Sequence, residues 1–214
     1  MGRQNKKESV AALHRKNILS AAEKLFLEKG VTLTTMDEIS RMSEYSKRTI
    51  YAYYESKEDI LYHIILKGLV NLKEDLIEAI QQQNGFILQY RAICNAMEKH
   101  QANSPQSANA VDQMKSGNID YNAIPPTIVK IFGLGTEINS LLADYIEQGK
   151  QQGIVRPNVE PMKTVYIMWG SITSLLSLVR NKGEFLEKEF ATTKESFLEY
   201  GYKQIINCIL EERI

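Results

Sequence analysis

Between residues 35 and 57 the chain gathers the hydroxyls of Thr35, Ser46, Thr49, Tyr51 and Tyr53 and the cations of Lys47, Arg48 and Lys57. All of these are hydrogen-bond donors, and no base or nucleophile is paired among them. Such a set suits recognition rather than bond making. Hydroxyls and ammonium groups hold phosphate oxygens, and a guanidinium can read a base edge. The features of an enzyme are missing from the sequence. It has no Gly-rich phosphate loop and no paired Cys/His set, and His14, His63 and His100 are too far apart for triad spacing. Neither catalysis nor a metal or cofactor is expected.

Short helices must position these donors. Ile18, Ala22, Leu25 and Phe26 repeat at helical period, and Gly30 is placed to stop that helix. Thr35-x-x-Glu38 reads as a capping box opening a second helix, which runs through Ile39 to about Met42. After a tight turn, Ser46 caps a third helix carrying Lys47, Arg48, Thr49, Tyr51 and Tyr53. Ser56-x-x-Asp59 caps a fourth, apolar through Ile60, Leu61, Ile64 and Ile65. A two-turn helix, a turn and a short helix with cations at its start is the geometry that enters a DNA major groove. Lys47 and Arg48 then face base edges. A bidentate Arg48–guanine pair is worth about 1–3 kcal/mol of discrimination. Thr35 can add a phosphate contact to its capping role, and Tyr53 can reach either a phosphate or a base.

The segment from Ile18 to Ile65 resembles the N-terminal domain of TetR-family transcriptional regulators. That pattern reads I-x-x-A-A-x-x-L-F-x-x-x-G, then T-T, then I-A-x-x-A-G-V-S-x-x-T-x-Y-x-Y-F-x-x-K-x-x-L. Ile18, Ala21, Ala22, Leu25, Phe26, Gly30, Thr34, Thr35, Ile39, Ser46, Thr49, Tyr51, Tyr53, Lys57, Ile60 and Leu61 carry the match. Ser40 stands where the family has Ala, and Tyr54 where it has Phe. Ser43, Glu44 and Tyr45 replace Ala-Gly-Val in the turn. Glu44 must therefore adopt a positive φ at a cost of about 1 kcal/mol, or the turn must tilt. The resemblance implies that Thr49, Tyr51 and Lys57 contact the sugar-phosphate backbone. It also implies a helical body that encloses a small-molecule effector and pairs two copies through its last two helices.

Charge and composition agree with a small basic head on an acidic body. Residues 1–62 hold 11 Lys+Arg and 9 Asp+Glu, against 15 and 17 in the remainder. Cys94 and Cys208 fall in helical apolar patterns without metal spacing, as expected of buried thiols in a reducing, cytoplasmic protein. No signal peptide is read at the N-terminus. The apolar run from Thr164 to Val179 is too short to span a bilayer, so no membrane partner is expected.

The expected fold is all-α: a helix-turn-helix DNA-binding domain over 1–56 and a helical body over 57–214, with 57–83 as connector helix. A fifth helix carries Phe86, Tyr90, Ile93, Cys94 and Met97. Residues 101–122 read as a connection with one short helix from Pro105. Pro125-Pro126 opens the next helix, which Gly133 or Gly135 can break. Two long helices end the chain. Val165, Met168, Ile172, Leu176 and Val179 line the first, and Leu198, Tyr202, Ile205 and Ile209 the second. Such faces can be ordinary core. A two-fold pairing of heads on a palindromic operator favours reading them as a homodimer interface.

The effector candidates are Tyr90, Cys94, Met97, Met114, Phe132, Tyr145, Tyr166, Trp169 and Thr173, an apolar and aromatic set suited to a lipophilic or aromatic ligand. The function expected is a ligand-responsive repressor of transcription. The competing reading is a helical interaction module whose DNA-binding head has lost its function through Glu44.

Overall fold

The structure is a computed structural model that describes residues 2–108 and 124–212. The described residues are helical throughout, joined by short turns and one isolated antiparallel bridge between Val155 and Leu210. They form α1 (Gly2–Leu33), α2 (Met36–Ser43), α3 (Lys47–Tyr51), α4 (Lys57–Gln82) and α5 (Phe86–Asn103). A helical stretch over 105–108 follows, then α6 (Pro126–Gln151), α7 (Pro161–Phe190) and α8 (Lys194–Asn207). Packing divides the chain into two compact units. One comprises residues 1–69 with 104–132, and the other 70–103 with 133–214. The division falls inside α4 and again inside α6, and each of these helices contributes to both.

The first unit is built on Ile18, Ala22, Leu25, Phe26, Ile39, Ile50, Tyr54, Ile60 and Ile64, all buried. The apolar period of α1 thus meets one residue each from α2 and α3 and the first turns of α4. The helix of α1 breaks at Gly30, whose φ of 81° and ψ of 161° lie in a region that only glycine enters cheaply. Upstream, α1 runs back to Gly2, well beyond the Ile18 start that the apolar period indicated. Residues 105–108 pack on α4, where Ser107 donates to the Ile65 carbonyl at 3.2 Å and Gly68 leaves no room for a Cβ.

In the second unit, α7 and α8 pack on each other and on α5. Pro126 does open α6, but the helix passes Gly133 and Gly135 unbroken. Two glycines cost about 2 kcal/mol of helix propensity, and the burial of Ile131, Ile138, Leu142, Tyr145 and Ile146 on the same helix outweighs that. Cys94 is fully buried, and burial pushes its thiol pKa up to about 12. Cys208 departs from expectation: it lies exposed at the C-terminal cap of α8, while its neighbours Ile209 and Leu210 are buried.

Candidate nucleic-acid interface and body cavity

The caps that set α2 and α3 form as the sequence requires. Thr35 accepts from the Glu38 amide at 3.3 Å, and the Glu38 carboxylate accepts from the Thr35 amide at 2.9 Å. Lys29 pairs with the same carboxylate. Together Lys29 and Thr35 hold the Glu38 pKa down at about 2. Ser46 accepts from the Thr49 amide at 3.1 Å and shares a 2.9 Å hydrogen bond with the Thr49 hydroxyl. Between these helices, Glu44 takes φ 61° and ψ 20°, the left-handed conformation. Ser40 offsets part of that cost. Its hydroxyl donates to the Tyr45 carbonyl at 2.6 Å and ties α2 across the turn. A net hydrogen bond of about 0.5–1.5 kcal/mol is comparable to the roughly 1 kcal/mol strain at Glu44. The two departures from the family pattern thus compensate one another.

The donors singled out in the sequence fall into two groups. Arg48 and Tyr51 are solvent-exposed on α3, and Thr35 is exposed at the start of α2. Lys47 is also exposed but pairs with Asp37 at 2.6 Å. The others are engaged within the chain. Lys57 donates all three ammonium protons to the carbonyls of Val31, Thr32 and Thr34, at 2.9, 3.0 and 3.0 Å, and so closes the end of α1. The Tyr53 hydroxyl meets His14 Nδ1 at 3.1 Å, and the Arg15 guanidinium lies 5.3 Å from the centre of its ring. His14, Arg15, Asn17 and Tyr45 were not among the sequence candidates. The signal for His14, Arg15 and Asn17 was the polar run immediately ahead of Ile18, legible only once α1 is known to extend that far.

The second unit encloses a cavity of about 30 Å³ lined by Tyr90, Ile93, Met97, Leu142, Tyr145, Ile146, Val165, Met168, Trp169 and Ile172. No charged side chain lines it. The Tyr90 hydroxyl donates to the Tyr202 carbonyl at 3.0 Å and that of Tyr145 to the Phe86 carbonyl at 2.6 Å, so both polar tips are already satisfied. Burial raises both phenol pKa values far above the ordinary one.

Residues 18–64 match the family described as bacterial regulatory proteins, tetR family. The uncharacterized HTH-type transcriptional regulator YhgD of Bacillus subtilis (strain 168) is 28% identical over 155 residues, covering 72% of this chain and 78% of its own. Residues 18–64 are a DNA-binding head of the TetR family, and the chain as a whole is similar to HTH-type transcriptional regulators. The HTH-type transcriptional repressor BepR of Brucella suis biovar 1 (strain 1330) is 38% identical over 69 residues, 32% of this chain and 33% of its own. The fatty acid degradation regulator FadR of Bacillus halodurans shares the fold, with a TM-score of 0.68 at 15% identity, over 90% of this chain and 94% of that one. The family matched by residues 18–64 is one of regulatory proteins rather than of enzymes.

Within the body, the effector candidates scatter. Tyr90, Met97, Tyr145 and Trp169 line the cavity, together with Ile93, Leu142 and Ile146, which the sequence did not single out. Cys94 is buried but off the cavity wall, and Thr173 bonds its own helix through the Trp169 carbonyl at 2.9 Å. Tyr166 is exposed and accepts from Asn139 at 3.3 Å, and Phe132 belongs to the other unit. Met114 lies outside the described residues. Of the residues read as a dimer face, Val165, Met168, Ile172, Leu176, Val179, Leu198, Tyr202 and Ile209 are buried within the single chain, and Ile205 is half-buried. A second copy would have to meet other residues. Met162, Tyr166, Ile167, Leu178 and Phe185 of α7 are exposed on its opposite side.

Proposed function

We propose that the chain is a ligand-responsive repressor that acts as a homodimer on an inverted-repeat operator in the cytoplasm and is released by an uncharged lipophilic or aromatic molecule. The observation that carries this reading is α7, which is apolar on both sides. Ile172 on one side is 2% exposed and helps wall the cavity, while Ile167 on the other is 68% exposed. A helix apolar all round wants a partner on each face. Its own unit supplies one, and a second copy related by a two-fold axis supplies the other. By length and composition the same helix could cross a membrane. The packed cavity-facing side and the charges at Arg180, Lys182 and Lys188 favour an interface instead.

One short recognition helix covers one half-site, so a two-fold pair matches an inverted repeat with half-sites about 34–36 Å apart. Arg48 reads a base on each half-site. Lys47, Thr35, Ser46, Thr49, Tyr51 and Tyr53 contribute the surrounding donors, and Lys57 steadies the end of α1 between them. Repression as the mode is supported by the likeness of the head to that of BepR. A lipophilic effector is supported by the uncharged cavity wall and by the fold shared with a regulator of fatty acid degradation. The test begins with DNA flanking the coding region, searched for an inverted repeat. Sedimentation at micromolar protein should give a dimer, alone and on that duplex. A monomer in both states would sink the proposal.

A further inference from the structure

The second unit holds another recess, which shares no lining residue with the uncharged cavity. This cleft, open to solvent and about 560 Å³ in volume, is lined by Arg180, Asn181, Lys182, Glu184 and Phe185 of α7 and by Lys194 of α8. On an unbroken helix, consecutive residues point about 100° apart and do not share a side. Here α7 is kinked at Lys182, whose φ of −128° and ψ of 16° depart from helical values. The kink lets residues ahead of it and beyond it line one cleft. Lys194 reaches the same place across buried Gly183, where a Cβ would run into the lysine stem.

The three cations of this cleft are not used within the chain. In the same unit Lys73, Arg91, Lys99, Lys150 and Lys163 each hold a carboxylate. Among the described residues, Arg180, Lys182 and Lys194 form no ion pair and donate no side-chain hydrogen bond. The helix dipole does not account for Lys194 either, because it is the first residue of α8, at the end that disfavours a cation. We propose that the cleft binds a small organic phosphate, with its phosphoryl dianion held by Arg180, Lys182 and Lys194 and its ring against Phe185. Three cations and the one carboxylate of Glu184 leave an excess of positive charge that a dianion balances. A guanidinium fork fits two phosphate oxygens, and the lysines add point charges. Phe185 offers an exposed aromatic face, and Asn181 a donor and an acceptor for a hydroxyl. The volume falls within the roughly 300–1,000 Å³ of small-molecule sites. This site depends neither on the DNA-binding role of the head nor on the uncharged ligand of the cavity.

The experiment is a calorimetric titration of the full chain with phenyl phosphate at low ionic strength. One molecule should bind per chain, more tightly than inorganic phosphate, and should raise the thermal midpoint. The triple variant Arg180→Gln, Lys182→Gln, Lys194→Met keeps the stem that crosses Gly183. It should weaken phenyl phosphate by at least about tenfold while its ligand-free thermal midpoint stays unchanged. Glu184→Gln removes the opposing charge and should tighten binding by roughly two- to fivefold, which keeps the test open if the triple variant folds poorly. Wild-type affinity in the triple variant would overturn the proposal and place the anion elsewhere, such as the DNA-reading head. An unchanged or weaker affinity in Glu184→Gln would also overturn it. Equal binding of phenyl and inorganic phosphate would remove the ring, and with it the organic class of ligand. A wild-type chain that ignores millimolar phenyl phosphate, together with a triple variant that sediments as a smaller species, would assign the cleft to contact between copies instead.

Discussion

At the scale of single residues, Glu44 is the position where local preference and global geometry disagree. Its φ of 61° is one that glycine adopts without Cβ strain. Glu44→Gly should therefore stabilise the protein by about 1 kcal/mol, and Ser40→Ala should destabilise it by about as much. In a chain of this size each shifts the thermal midpoint by about 2–4 °C, in opposite directions, as calorimetry would show. At the interface, Arg48→Ala should relax base preference at one position per half-site. Lys57→Ala should weaken all sequences alike and lower the thermal midpoint, because three carbonyls lose their donor. Competition with single-base operator variants separates the two effects. His100 governs behaviour in acid. It is buried with Nε2 unpartnered, and burial lowers its pKa to about 4, with Asp75 opposing weakly. The unfolded chain binds a proton near pH 6.5 that the folded chain refuses. Stability is thus intact above pH 6.5 and declines as pH falls towards 4, by at most about 3 kcal/mol. His100→Gln should flatten that decline in denaturant titrations across the window.

At the scale of helices, the two sides of α7 should respond differently to the same chemistry. Ile167→Glu should dissociate the dimer while leaving the helix content of the monomer intact. Ile172→Glu should unfold the second unit, since a charge cannot be buried unpaired beside the cavity. Sedimentation and circular dichroism together distinguish the outcomes. The same helix shows what a sequence reading reaches and where it stops. The period of Val165, Met168, Ile172 and Leu176 identified α7 and its strongest apolar stripe. Periodicity alone, however, does not say whether a stripe is covered by its own chain or by another. The answer depends on α5, α6 and α8, whose placement is tertiary. The head was far more legible. Its caps at Thr35 and Ser46 are local chemistry, written within four residues, and both form as read. Lys57 was harder to place, because its partners at Val31, Thr32 and Thr34 are distant in sequence, and an exposed lysine and a helix-end clamp look alike in one dimension.

At the scale of the whole molecule, α4 is shared by both units, so a ligand in the second unit has a covalent path to the first. A ligand that favours a different spacing of paired heads by a few kcal/mol releases both half-sites together. Reciprocity then requires the operator to weaken the ligand by the same factor. Calorimetry with and without operator duplex should show this, and equal affinities would rule the mechanism out. The cavity in the second unit has about the volume of one water molecule. No drug-sized molecule enters until Met97, Trp169 and their neighbours move apart. Under the proposed release by a small molecule, every inducer, whatever its structure, should then see its intrinsic affinity scaled by the same fraction of open molecules. The threshold of the response is in that sense a property of the protein, a common set-point that chemically unrelated inducers inherit. A change that loosens the wall should slide all their dose–response curves in parallel and leave their rank order untouched.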